Sequence, residues 1–283
     1  MNKELIPSLV NKPAIRAYLG GSFDPVHLGH MQMAMAVYNT LAPMAAQQNR
    51  ELQVSLLPNA RSPFKTKSTA PNDRLAMLNL AVQGTPVNIN ELEIWQTPPV
   101  YTIDSVRALR NQHPYDTLIF IMGMDSARSL AQWKDGLQLT DYVDLWIFNR
   151  NDHLIQQSPN NAVLAHELPV KLQAQVIKSY FELLSLPVPS DHKLLAHSIS
   201  KDSPLQDSPL KDTNQGRIYI DTQAVMSVSS TEIRQQLYEQ NHTKNKVLLL
   251  PVQCATTRSN LLPQLLDSKV YHYIIAHQLY SAD

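Results

Sequence analysis

Gly20-Gly21-Ser22-Phe23-Asp24-Pro25-Val26-His27-Leu28-Gly29-His30 is the stretch whose reading decides the fold. Before it lies an apolar run of strand length, Ala14-Ile15-Arg16-Ala17-Tyr18-Leu19. After it, Met31, Ala34, Met35, Tyr38 and Leu41 recur at helical spacing. A strand that passes through glycines into a helix lets the backbone approach a ligand closely, and aims free N–H groups of the first helical turn at an anion. Gly20, Gly21, Ser22, Phe23 and Gly29 are therefore candidate contacts to nucleotide phosphates. His27 and His30 stand three apart across Gly29, so both imidazoles can face one phosphate while the glycine leaves the ligand room. Asp24 precedes a proline in this turn; holding the turn and touching a ligand are both open roles.

Composition narrows the classes. The 283 residues carry 24 Lys+Arg against 24 Asp+Glu, so no basic surplus points to nucleic acid and any anion site must be local. Only seven glycines are present, and three of them fall between 20 and 29, which marks a local backbone requirement. The single cysteine, Cys254, excludes an internal disulfide framework and fits a reducing compartment. Eight of the ten histidines lie outside the 27–30 pair without metal-ligand spacing, so no protein-held zinc is expected. No apolar stretch approaches membrane-spanning length and Met1-Asn2-Lys3-Glu4 opens no signal segment; a cytoplasmic protein without membrane association is expected.

Strands alternate with helices along the first half. Glu51–Leu57 and Val87–Leu92 read as strands, with helices at Asn72–Val82 and Thr102–Arg110. Thr117–Met122 is a near-continuous apolar run, as a strand buried on both faces requires; it passes through Gly123 into a helix over Ser126–Trp133, and Val143–Phe148 is the next strand. The pattern predicts a doubly wound parallel α/β sheet of Rossmann-like type, with ligands at the carboxyl ends of its strands. We read 13–283 as one domain with an insertion over 152–216, irregular apart from a helix at Val170–Leu186 and a mobile surface loop over 185–214. A strand at Arg217–Ile220, another at Val247–Leu250 and a last helix over Lys269–Tyr280 complete the chain.

A second constellation is Ser227-Val228-Ser229-Ser230-Thr231-Glu232-Ile233-Arg234. Ser229 with Glu232 forms a capping box, so a helix starts there, presenting the Ser230 and Thr231 hydroxyls at its positive end with Arg234 one turn along. Hydroxyls, a helix dipole and a guanidinium in one turn suit a polyphosphate. Lys65, in the polar loop over 59–70, can pair with a substrate phosphate. Asp125 either caps the helix after Gly123 or faces the nucleotide.

The two end motifs together resemble the HxGH nucleotidylyltransferase superfamily and, within it, the bacterial nicotinate-mononucleotide adenylyltransferases. Pro63-Phe64-Lys65 is similar to that family's Pro-His-Lys loop, with Phe64 in place of its histidine. Tyr101–Ser105 resembles its YTxDT segment, Gly123-Met124-Asp125 with Trp133 its GxD…W segment, and 270–280 its closing YIxxHxLY helix. The match covers about 15–150 and 217–283; the 152–216 region and Gln240–Ser268 are longer than the family pattern. The resemblance implies ATP-dependent transfer to nicotinate mononucleotide, giving nicotinate adenine dinucleotide and pyrophosphate. It implies that the Thr102 backbone N–H meets the nicotinate carboxylate and that Trp133 stacks on the pyridine ring. His27, His30 and Arg234 would carry the chemistry, and Mg²⁺ would sit on the ATP phosphates and water. Three other readings stay open: the amide mononucleotide as acceptor, pantetheine phosphate as acceptor, or a non-catalytic nucleotide-sensing domain. The sequence leaves open whether the chain forms a homo-oligomer.

Overall fold

In the computed structural model, which describes residues 12–61, 68–149, 161–184, 216–247 and 262–281, the apolar run at 117–122 alternates between two cores. Ile119 and Ile121 pack into one, Leu118, Phe120 and Met122 into the other. That alternation on a strand apolar throughout is what burial on both faces demands.

The first half runs β1 (Ile15–Gly21), α1 (Leu28–Gln48), β2 (Leu52–Pro58), α2 (Pro71–Val82), β3 (Val87–Ile89) and α3 (Thr102–Gln112). The second half runs β4 (Thr117–Gly123), α4 (Met124–Arg128), β5 (Asp144–Phe148), α5 (Asn161–Ala165), α6 (Val170–Gln173), β6 (Val176–Ile177), β7 (Ile218–Asp221), α7 (Ser230–Val247), α8 (Leu262–Leu265) and α9 (Ser268–Ala276). Among the described residues the strands form one seven-stranded sheet, ordered β3-β2-β1-β4-β5-β7-β6. Every pairing in it is parallel, as the doubly wound Rossmann-like pattern requires. From β1 the chain winds out through β2 to β3, then returns to place β4 on the other side of β1. That reversal opens a crevice outside the carboxyl ends of β1 and β4, where such sheets bind ligands.

Four expected elements differ. The helix over Val170–Leu186 is instead the one-turn α6, β6 and a 3₁₀ turn at Tyr180–Leu184. Val176 and Ile177 pair with Ile218 and Tyr219 of β7, so a β-branched pair is drawn into the sheet edge against the local helical pattern. Residues 161–184 also feed Leu164, Leu168, Leu172, Leu183 and Leu184 into the two cores, so this part of the 152–216 region is built into the fold. The helix over Ser126–Trp133 breaks into α4 and a 3₁₀ turn at Leu130–Gln132. Val247 ends α7 rather than opening a strand, and Leu248–Leu250 lie outside the described residues, as do Lys65 and the 185–214 stretch. The last helix stops at Ala276, where Gln278 and Tyr280 turn left-handed at φ 53° and 60°.

Candidate active site

The glycine turn is shaped by what it touches. A Cβ on Gly20 would lie 2.4 Å from the Phe120 ring of β4, so only glycine lets β1 come this close at the crevice. Phe23 is buried with φ 46°, a left-handed conformation that a bulky residue adopts only where its surroundings enforce it. The enforcement comes from Arg74, on the buried face of α2. Its guanidinium donates to four carbonyls: Ser22 at 2.9 Å, Asn59 at 2.7 Å, Ala60 at 2.6 Å and Thr69 at 3.2 Å. Burial lowers the Arg74 pKa, with the nearby Asp24 acting against that shift.

Asp24 is 4% exposed, and its carboxylate faces the protein. Oδ1 accepts from the Tyr280 hydroxyl at 2.7 Å and Oδ2 from the Thr69 N–H at 3.1 Å. Burial, and next the Asp24 charge, push the Tyr280 hydroxyl far above the usual tyrosine range, so it stays a donor. Both oxygens of the Asp24 carboxylate thus hold the turn.

His27 is the N-cap residue of α1 and is 2% exposed. Its ring stacks on that of His30, with centroids 3.6 Å apart and planes 24° from parallel. The pair thus does not present two rings side by side: His27 backs His30, and His30 lines the cavity. The His27 N–H donates to Nδ1 of His30 at 3.3 Å, and the Phe23 ring meets His30 edge-on with centroids 4.8 Å apart. A neutral ring that accepts at Nδ1 carries its hydrogen on Nε2. Gly29 also serves packing, because a Cβ there would lie 2.9 Å from the Met226 carbonyl.

The cavity is about 390 Å³ and sits at the crevice between β1 and β4. Gly20, Gly21, Ser22 and His30 form one wall, Phe120, Met122, Gly123 and Asp125 another, and Tyr101, Thr102, Trp133 and Lys134 a third. Thr102 opens α3, whose N-terminus has no side-chain cap. Trp133 donates from Nε1 to Ser129 Oγ at 3.1 Å, which fixes the plane of its ring. Asp125 is in the first turn of α4 but does not cap it; its exposed carboxylate pairs with Arg128 at 3.1 Å. Glu93 also lines the cavity, and burial pushes its carboxyl above the ordinary range.

The second constellation docks on the first. Ser229 and Glu232 make the expected reciprocal capping bonds, 2.9 and 3.1 Å, at the start of α7. Ser230 Oγ donates to the Pro25 carbonyl at 2.9 Å, and Arg234 donates to the Asp24 carbonyl at 2.6 Å and to Thr231 Oγ1 at 3.1 Å. Residues 205 and 210 positions apart are thereby joined, through the Asp24-Pro25 turn rather than in the cavity wall.

Glu93 and Lys134 were not singled out from the sequence, and Arg74 and Tyr280 stood there only within family-like segments, with no role assigned. Arg74 had a usable signal: it shares its helix face with Met77, Leu78 and Ala81, all buried, and a charge on an apolar stripe must be satisfied inside. The partner of Tyr280 lies 256 residues away, and nothing local announces it. Among the described residues no cluster of three or more His, Cys, Asp or Glu stands in position to hold a metal, and no helix is long and apolar enough to cross a membrane.

A glycine turn at the β1/β4 crevice, a histidine at the head of α1 and a second helix N-terminus latched to the same turn define a Rossmann-like nucleotidylyltransferase. The chain belongs to the cytidylyltransferase-like family, which it matches over residues 18–236, and within it to the nicotinate-nucleotide adenylyltransferases. It is 31% identical over 268 residues to a probable nicotinate-nucleotide adenylyltransferase of Idiomarina loihiensis, covering 94% of this chain and 99% of that protein. A Pseudoalteromonas atlantica protein of the same description is 42% identical over 135 residues, 46% of this chain and 57% of its own length. The fold matches the Plasmodium falciparum nicotinic acid mononucleotide adenylyltransferase complexed with NaAD at a TM-score of 0.58. That match has 15% identity and covers 95% of this chain and 98% of that one.

Proposed function

We propose that this chain transfers the adenylyl group of ATP to nicotinate mononucleotide, releasing pyrophosphate and forming nicotinate adenine dinucleotide, a step of NAD biosynthesis in the cytoplasm. The observation that carries the reading is a cavity that joins the glycine turn and His30 to an uncapped helix N-terminus flanked by Trp133.

The nucleophile is already an anionic phosphate, so the protein needs neither a general base nor a covalent intermediate. Its work is alignment and charge neutralisation. The Gly20-Gly21 backbone and the α1 N-terminus receive the phosphates, where the helix dipole favours negative charge. His30, with its hydrogen on Nε2, donates to the α-phosphate as charge accumulates in the transition state. His27 holds that ring flat from behind. In the proposed complex the N–H groups at the start of α7, with Thr231 and Arg234, meet the departing β,γ-phosphates beyond the cavity wall, while Ser229 and Ser230 fix that helix end against the Asp24-Pro25 turn and Lys65 pairs with a substrate phosphate. Ser22 and Asp125 complete the nucleotide site, and Phe23 and Asp24 shape the turn. Mg²⁺ belongs with the substrate, held by phosphate oxygens and water as suits an ion reluctant to dehydrate. The nicotinate ring stacks on Trp133 with its carboxylate at the Thr102 end of α3.

The test is kcat/KM of the purified chain with ATP and Mg²⁺ against three acceptors: nicotinate mononucleotide, nicotinamide mononucleotide and pantetheine phosphate. The acid should exceed the amide by tenfold or more, since the amide NH₂ faces N–H donors and leaves at least one unpaired, at about 1–3 kcal/mol. Equal values for acid and amide, or preference for pantetheine phosphate, would overturn the acceptor assignment.

A further inference from the structure

Lys134 stands beside the pocket with a role that the transfer chemistry does not use. It lines the same wall as Tyr101, Thr102 and Trp133. Its ammonium lies over the Tyr101 ring, 4.6 Å from the centroid, and pairs with Asp104 Oδ2 at 3.1 Å. Both partners are half-exposed, 46% for Lys134 and 49% for Asp104, so this pair is weakly held. Asp104 has a second cation, Arg107, at 3.6 Å, and keeps that partner if Lys134 leaves. Tyr101, the ring under the ammonium, is the N-cap residue of α3. The cation therefore stands within one residue of the Thr102 end of that helix.

We propose that Lys134 is a specificity-determining residue that exchanges Asp104 for the carboxylate of the bound pyridine mononucleotide, selecting the acid over the amide. The proposal rests on the nicotinate reading of this pocket. Two features favour the exchange. The carboxylate at the start of α3 meets the helix dipole, which Asp104, solvated in the first turn, shares only in part. Once the pyridine ring covers Trp133 and water is displaced, a charge pair there is screened less than the Lys134–Asp104 pair in solvent. The Tyr101 ring holds the ammonium in place through the exchange. The other cation of this corner, Arg107, is engaged with Tyr142, Asp104 and Asp135, and Arg128 is engaged with Asp125 and Glu167.

The experiment compares kcat/KM for nicotinate and nicotinamide mononucleotides, with saturating ATP and Mg²⁺, in the wild-type chain and in Lys134→Met, Lys134→Arg and Asp104→Asn. Lys134→Met should cut the acid-to-amide ratio about tenfold, the scale of one charge-assisted hydrogen bond, mainly through KM for the acid. Lys134→Arg should restore most of it, and raising the salt should weaken acid binding more in wild type than in Lys134→Met. Asp104→Asn should lower KM for the acid by releasing the ammonium and removing a like charge. A ratio unchanged in Lys134→Met, or equal losses for both acceptors, would overturn the proposal and leave the acceptor assignment standing. A wild-type chain that turns over neither pyridine mononucleotide would overturn both.

Discussion

At His30 a single backbone contact sets the tautomer of the neutral ring. The His27 N–H occupies Nδ1, so the ring's hydrogen resides on Nε2, the nitrogen a phosphate oxygen can use. In the proposed transfer this is one transition-state donor, and donors of that kind carry roughly 10²–10³ in turnover. His30→Ala should therefore keep the fold and most ATP affinity while kcat falls by that factor, measured by pyrophosphate release and by ATP titration. Turnover near wild type would remove His30 from the mechanism. The residue pattern 27–30 was legible because its spacing and its place after a strand are local. The division of labour within it was not: the buried, stacking His27 and the packing role of Gly29 arise from contacts with His30 and Met226 that only the folded chain supplies. Lys134 was equally hidden, since its meaning lies in a ring 33 positions earlier, not in its neighbours.

At the scale of elements, α2 governs the active-site loops from outside the cavity. Its Arg74 is fully buried and ties the ends of β1 and β2 to the loop before its own N-terminus. Arg74→Met fills similar space but leaves those carbonyls without donors, costing on the order of 3 kcal/mol or more. In a domain of this size that lowers the melting temperature by roughly 6–12 °C. Lys should rescue little, because an ammonium cannot reproduce the planar fork. A Met variant with wild-type melting temperature would show that the guanidinium does not organise the turn. Strongly periodic helices such as α1, α2 and α3 were readable from their apolar spacing. The stretch over 170–186 was not, because β7 captured Val176 and Ile177 through pairing with residues some forty positions on. The end of α9 was missed for a related reason: the left-handed turn that stops it is what delivers Tyr280 to Asp24.

Over the whole molecule, the sheet order places the β1 turn, the β4 end, the α3 N-terminus and Trp133 around one cavity, and α7 and Tyr280 latch onto that turn. Parallel alternation made the sheet readable in advance, and the two phosphate motifs predicted that distant segments would meet. How they meet, through the Asp24-Pro25 backbone, depends on tertiary contacts with no local sequence signature. In the proposed reaction the phosphate nucleophile attacks the α-phosphorus of ATP directly, a single in-line displacement with no adenylyl-enzyme on the way. The direct measurement is the configuration of the phosphorus in nicotinate adenine dinucleotide made by the purified chain from nicotinate mononucleotide and ATP rendered chiral at the α-phosphorus. Inversion is the predicted result. Retention would mean two displacements through a covalent intermediate and would contradict the single-transfer mechanism.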